Sequence, residues 1–577
     1  MRSLKKTGGR NEWSFKLLFA LIFIFIFNGT SFAEKFIPEQ PVMSASDLKS
    51  GMAGYALTVL KGTEPVKIPV KIVSVISEKP GTSMREKILI KFTGKNKLSQ
   101  GMSGSPVFIK NKLIGAIRSG WDNTDQSFAM VTPIDAMCAV FNNDNNKAEN
   151  EKLKTFNLSA AGLNANSLSN LSKVLGLNIN QGISANSGSL EIQNSNFKPG
   201  DAIAALLVWG DVEVSAAGTV TATSKDGKFL AFGHDFLGRG RVSYPAATAF
   251  VHETVDSYSF PFKLVSPLNI NGIITQDREA AIGGAVGIFP QSFEAGLRFK
   301  NLDTGKQNNY KFRVVPDEFL SAKLIEEVYK GLLTEAWGRK GQGTMKINLR
   351  IEGPGNFQNG FARSDIFFSD EDIAGEALKD SIEIIDTYMT QPFNEIMPSG
   401  FVLTVEATQQ PKILRIENVE VPDFAKPGEE IEVKIKLRQW RNEIIEKVFK
   451  LKIPENSSGV VEVVARGGGV ESMHQIAIEE GLKTIDSLGR LLTEFKAADA
   501  NNDLIIELNT DTLGEAIKNV LSKNKNGNES SGEDFLPEEL EFLSETKERR
   551  IKEGNLKIFS SDYVIDGMMR RIIHVGK

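Results

Sequence analysis

The run Gly101-Met102-Ser103-Gly104-Ser105-Pro106 places a serine hydroxyl between two glycines and closes the turn with proline. A nucleophilic serine needs this arrangement. Glycine at 101 leaves the backbone free to aim its N–H at a carbonyl oxygen, and Ser103 adds a second N–H beside its hydroxyl. Gly101 and Ser103 therefore form the expected oxyanion hole. Gly104 relieves crowding behind the serine, and Pro106 fixes φ where the chain leaves for a strand over Val107–Ile109. Serine is a weak nucleophile near neutrality, so an imidazole must take its proton and return it to the leaving amine. Of the four histidines, His234 follows a strand-like run directly in a glycine-bearing turn. His252 reads as a strand-face residue, and His474 and His574 belong to later regions.

A carboxylate would orient the second imidazole nitrogen. Between Ile72 and Gln100 the chain offers only Glu78 and Glu86, both in polar, turn-like surroundings. After His234 the candidates are Asp235, Asp256 and Asp277. Asp277 is the expected acid, because it interrupts the apolar, strand-like "GIITQDREAAIGG" with a charged pair and glycines. A salt-bridged turn with Arg278 is its structural alternative, and a Ser–His dyad stays open.

The stretch "GMSGSPVFIKNKLIGAIRSGW", followed by "MVTPIDAM", resembles the SpoIVB-type serine peptidases, the family of stage IV sporulation protein B. In "GKFLAFGHDFLGRG", Gly233-His234 is similar to the family's general-base segment. The resemblance spans about 50–140 and about 195–290. It implies a serine endopeptidase with a chymotrypsin-like, two-barrel core, Ser103 as nucleophile and His234 as base. Three features depart from it. In the sporulation enzymes histidine precedes serine, whereas here Ser103 comes first. Met102 stands where chymotrypsin relatives keep an aspartate that pairs with a freed N-terminus, so activation by that device is not expected. No PDZ-like segment precedes the serine half.

These residues need strands to hold them. Glycine is abundant and helical periodicity scarce before residue 320, which predicts short strands and many turns. The fold class is mainly β: the two-barrel core, then a small α/β unit, an immunoglobulin-like β-sandwich and a helical, partly disordered C-terminal region. Arg2, Lys5, Lys6 and Arg10 lead into an apolar run from Leu17 to Phe27, and Ser31-Phe32-Ala33 follows. This reads as a signal peptide over 1–33, with an uncleaved anchor as the alternative. The expected location is periplasmic or extracellular. The serine half follows at 34–150, a connection at 151–182 and the histidine half at 183–315. An amphipathic helix begins the unit 316–408, the sandwich occupies 409–466, and 467–577 completes the chain with a helix over "IEEGLKTIDSLGRLLTEFKAA".

The net charge of −4 over 577 residues includes no basic stripe, which argues against nucleic acid as a partner. Cys138 is the single cysteine, so neither an intrachain disulfide nor a cysteine zinc cluster is available, and the residue is expected in a core. His234-Asp235 is the only nearby pair of metal-ligand types, and no metal or cofactor is expected. The expected partners are a protein or peptide substrate and an envelope protein near the membrane. The alternative is a non-catalytic envelope scaffold that keeps the peptidase fold. For the peptidase reading, the polar stretches 142–155 and 524–534 are accessible targets for self-cleavage.

Overall fold

The computed structural model describes residues 35–78, 85–142, 158–182, 190–257, 260–318, 320–353, 360–393, 397–469, 487–510 and 546–576. The expected signal peptide, His474, the linker 524–534 and most of 142–155 lie outside them. The protein is mainly β.

Strands β1 (Ala53–Val59), β2 (Pro65–Glu78), β3 (Arg85–Phe92), β4 (Pro106–Ile109), β5 (Lys112–Ser119) and β6 (Phe128–Pro133) form a closed barrel in the order β1-β2-β3-β6-β5-β4. Their sequences alternate as strands with one buried face must. Ile68, Val70 and Ile72 on β2, and Ile88, Ile90 and Phe92 on β3, point into one core. Lys110-Asn111 turns β4 into β5 with φ of 51° and 60°, the left-handed pair that a two-residue hairpin requires. Helix α1 (Ile134–Cys138) closes the unit. Cys138, expected in a core, is half-buried at its edge, where burial pushes the thiol up to about 12.

The second sheet has 14 strands. It starts with β7 (Leu158–Ala161), helix α2 (Ala165–Leu175) and β8 (Ile179–Gln181). The short β9 (Glu191–Ile192) follows, then β10 (Ala202–Gly210), β11 (Glu213–Thr223), β12 (Lys228–Ala231), β13 (Gly240–Val255), β14 (Phe262–Arg278) and β15 (Ala281–Val286). The path β10-β13-β14-β15-β12-β11 returns on itself, because β11 also pairs with β10. These six strands make a ring of antiparallel pairings. Counted from its own first strand, each ring runs 1-2-3-6-5-4. An apolar seam joins them, with Phe108, Ala116, Ile134 and Met137 meeting Ala222, Leu230 and Ala281.

Three domain boundaries differ from expectation, each because a long-range pairing decides it. The connection 151–182 is part of the second sheet, since β7 pairs with β11. The unit 316–408 is not separate. After β16 (Phe293–Asn301) and β17 (Gln307–Val314), the expected helix α3 (Ser321–Trp337) packs on the sheet, and β18 (Gly343–Glu352) and β19 (Phe361–Ser369) follow. Helices α4 (Ile373–Glu376) and α5 (Lys379–Thr390) then lead to β20 (Gly400–Thr408), which pairs in parallel with β16 and extends the same sheet. Tyr329 on α3 ties this arrangement together, its one hydroxyl proton shared between the carbonyls of Gly296 and Phe401, each 3.2 Å away.

The sandwich is larger than 409–466. Strands β21 (Ile413–Glu420), β22 (Phe424–Ala425), β23 (Glu430–Gln439), β24 (Ile444–Lys452) and β25 (Gly459–Gly467) precede helix α6 (Leu488–Ala497) and β26 (Asp503–Thr510). Helix α7 (Thr546–Glu553), β27 (Leu556–Ser560), β28 (Val564–Asp566) and β29 (Met568–Val575) complete it. Sheets β24-β23-β21-β28 and β22-β29-β25-β26-β27 enclose one core, so the expected sandwich needs the C-terminal strands to close. The pairs β21–β28 and β22–β29 are parallel, unlike the antiparallel sheets of the expected immunoglobulin-like type. Arg363 on β19 docks the sandwich by donating to the carbonyls of Phe495, Ala498 and Asp499.

Glu213 begins β11 with its side chain buried, and desolvation raises its carboxyl from 4.5 to about 7. The folded chain therefore binds its proton more tightly than the unfolded chain. The associated stability is present below pH 4.5 and is lost as pH rises through about 7. Glu213→Gln is expected to raise the thermal midpoint over wild type at pH 8 and to leave it unchanged at pH 4, read by calorimetry.

Candidate functional site

Ser103 lies in the connection from β3 to β4, and His234 in the connection from β12 to β13. Each is thus the link between third and fourth strands of its own ring. Each link is hydrogen-bonded to a strand of the other ring. Thr219 N–H donates to Ser103 O at 2.7 Å across the seam, while within the first barrel Gly104 N–H donates to Ile117 O at 2.7 Å. Thr221 Oγ1 reaches Gly104 O at 2.7 Å, and Thr132 Oγ1 reaches Gly233 O at 2.5 Å. Sequence places Ser103 and Gly233 far apart, and these bonds hold them on either side of one seam.

Gly104 is required here for two reasons. Its φ is +89°, and a Cβ would stand 2.0 Å from Thr219 O and 2.4 Å from Phe232 N. Phe232 adopts φ of 69°, an uncommon conformation for an aromatic residue. Its ring fills the space over Gly218, where a Cβ would come within 2.4 Å of it, and lies 5.9 Å from the His234 ring. Packing thus holds a strained residue beside the imidazole. Met102 is fully buried in the core of the first barrel. That burial contributes about 1.5–3 kcal/mol to anchoring the serine loop.

Ser103 is 5% exposed and His234 6%. Among the described residues no hydrogen bond joins Ser103 Oγ to the imidazole. His234 Nδ1 lies 2.6 Å from Asp235 O. A carbonyl can only accept, so Nδ1 carries the proton, and in the neutral form of the ring Nε2 then carries the lone pair. Asp277 is buried, but its carboxylate does not meet the imidazole. It accepts from Phe236 N–H at 2.6 Å, Leu237 N–H at 2.8 Å and Arg239 N–H at 3.3 Å. Desolvation raises its pKa against those hydrogen bonds. Asp277 therefore holds the loop that follows His234, and the Asp235 carbonyl takes the orienting position expected of an acid. Asp256 is exposed.

At the expected oxyanion hole, neither the Gly101 nor the Ser103 N–H donates to a backbone carbonyl among the described residues. Gln100 O accepts from Lys263 N–H at 3.0 Å. In a trans peptide this turns the Gly101 N–H away from β14. Three residues absent from the sequence reading support this loop: Thr58, Thr219 and Lys263. Thr219 Oγ1 donates to Gly101 O at 3.1 Å. The signal for Lys263 was a single cation within the strand-like "FPFKLV". Threonines on strands carry no such signal. No group of three or more His, Cys, Asp or Glu residues that could hold a metal ion occurs among the described residues.

Asp277→Ala leaves three loop N–H groups without their acceptor, and each such loss costs about 1–3 kcal/mol when buried. Amide exchange over 235–239 is expected to rise at least about tenfold, with the first barrel unchanged and Asp277→Asn intermediate. Equal exchange in all three proteins would show that other contacts hold the loop.

Compared with known proteins, no family model, curated protein or solved structure matches the chain.

Proposed function

We propose that the chain is an exported serine endopeptidase with a chymotrypsin-like double barrel. One observation carries this reading: two rings share one strand order, and their equivalent connections, one bearing Ser103 and the other His234, are each hydrogen-bonded to a strand of the other ring at the seam. In the proposed reaction Ser103 Oγ attacks a peptide carbonyl while His234 Nε2 takes the hydroxyl proton. The Asp235 carbonyl holds Nδ1–H throughout. The tetrahedral oxyanion is received by the N–H groups of Gly101 and Ser103. Collapse expels the amine, which takes the proton from Nε2, and water then hydrolyses the acyl-serine by the same base.

The described state is closed, since both side chains are nearly buried and no hydrogen bond connects them. Substrate or an envelope partner therefore has to part the loops at the seam before chemistry. The same two facts, together with the carbonyl in place of a carboxylate on Nδ1, favour a second reading: a binding scaffold that retains the peptidase fold. The two differ in whether the serine is activated.

Labelling by a fluorophosphonate probe, which reacts with activated serines, separates them. Wild type is expected to label, whereas Ser103→Ala and His234→Ala lose at least about 99% of the rate, in keeping with loss of nucleophile or general base. A folded wild type that stays unlabelled supports the scaffold.

A further inference from the structure

Lys263 is only 8% exposed near the start of β14. Its backbone N–H donates to Gln100 O, and Gln100 N–H donates to Pro261 O at 2.8 Å, so the residue preceding the serine loop is bridged to this strand. The side chain then runs along Gly101, with Cδ 3.1 Å from the point a Cβ there would occupy. Nζ donates to Thr58 Oγ1 at 2.6 Å and to Gly101 O at 3.1 Å. One residue thereby fixes two successive peptides of the loop, 100–101 through its backbone and 101–102 through its amine.

The groups facing the amine are the Thr58 hydroxyl from β1, the Gly101 carbonyl from the serine loop and, beside them, the Thr219 hydroxyl from β11. None of these titrates near neutrality. Among the described residues, no carboxylate, imidazole or second amine bonds to Lys263. A neutral amine has two N–H groups, and two acceptors receive them. An ammonium would carry a third N–H and a charge with no counter-ion in a site closed to water. Desolvation alone pushes the group down to about 7.

We infer that Lys263, as the uncharged amine, is a positioning residue that locks the Gly101–Ser103 backbone, and that protonation of the amine releases this loop. Its meaning for catalysis rests on the proposed role of Ser103, whereas the lock itself is a property of the backbone. The release has a definite direction. The folded chain holds this proton more weakly than the unfolded chain, so protection of the loop rises as pH climbs through about 7.

Hydrogen exchange of the full chain, normalised to the intrinsic rate at each pH, tests the lock over residues 99–106. Wild type is expected to be about tenfold more protected at pH 8 than at pH 6. Lys263→Met, which keeps the stem and removes the amine, is expected to be poorly protected and flat with pH, with β2 and β3 unchanged. Thr58→Val removes one acceptor and weakens the ammonium more than the amine, so its midpoint should fall below that of wild type. Wild-type protection that does not vary with pH, a pH response that survives in Lys263→Met, or an unshifted midpoint in Thr58→Val would each overturn the inference. Fluorophosphonate labelling of the same samples reads the serine separately: an inert serine with pH-dependent protection rejects the peptidase reading and retains the lock.

Discussion

The approach of one backbone to another at Gly104 is the constraint on which the site depends. No side chain other than hydrogen fits between this residue and the Thr219 carbonyl. Because that space is closed, the serine loop can share hydrogen bonds with β11 and lie against the Phe232–His234 turn. The apolar seam around Phe108, Met137 and Leu230 brings the rings together, and the glycine lets them meet at main-chain distance. Hydrophobic burial thus supplies proximity without direction, and the hydrogen bonds of Ser103, Gly104 and Gly233 supply the registration.

The two loops of the candidate site were legible because their backbone requirements are local. Glycine flanking serine, and glycine before histidine, are backbone requirements that appear in a few adjacent letters. The alternation of β2 and β3 was equally readable, as was the stripe of α3. Domain boundaries were not, because they depend on partners far away in the chain. Nothing in "FVLTVEA" states that it will lie parallel to β16 rather than close a unit of its own. The sandwich was undercounted for the same reason: β25 is flanked by β26 and β29, both of which follow it after long intervals. Asp277 shows the limit within the site. Its sequence marks a buried carboxylate, and three loop amides satisfy it as well as an imidazole would.

The reversed order of serine and histidine also takes on a physical meaning. Where two rings have one strand order, their third-to-fourth connections occupy equivalent places, and either ring can present either group. Chain order then records which ring was built first and not how the groups meet. This removes an objection to the proposed reading that rested on sequence alone.

Met102 bears on the timing of assembly. A methionine side chain in the barrel core asks for nothing from outside. The rest of the serine loop is held by the second ring, through Thr219 and Thr221 on β11 and Lys263 on β14. A loop built this way is complete only once both rings have packed, so closing the seam and finishing the serine loop are one step.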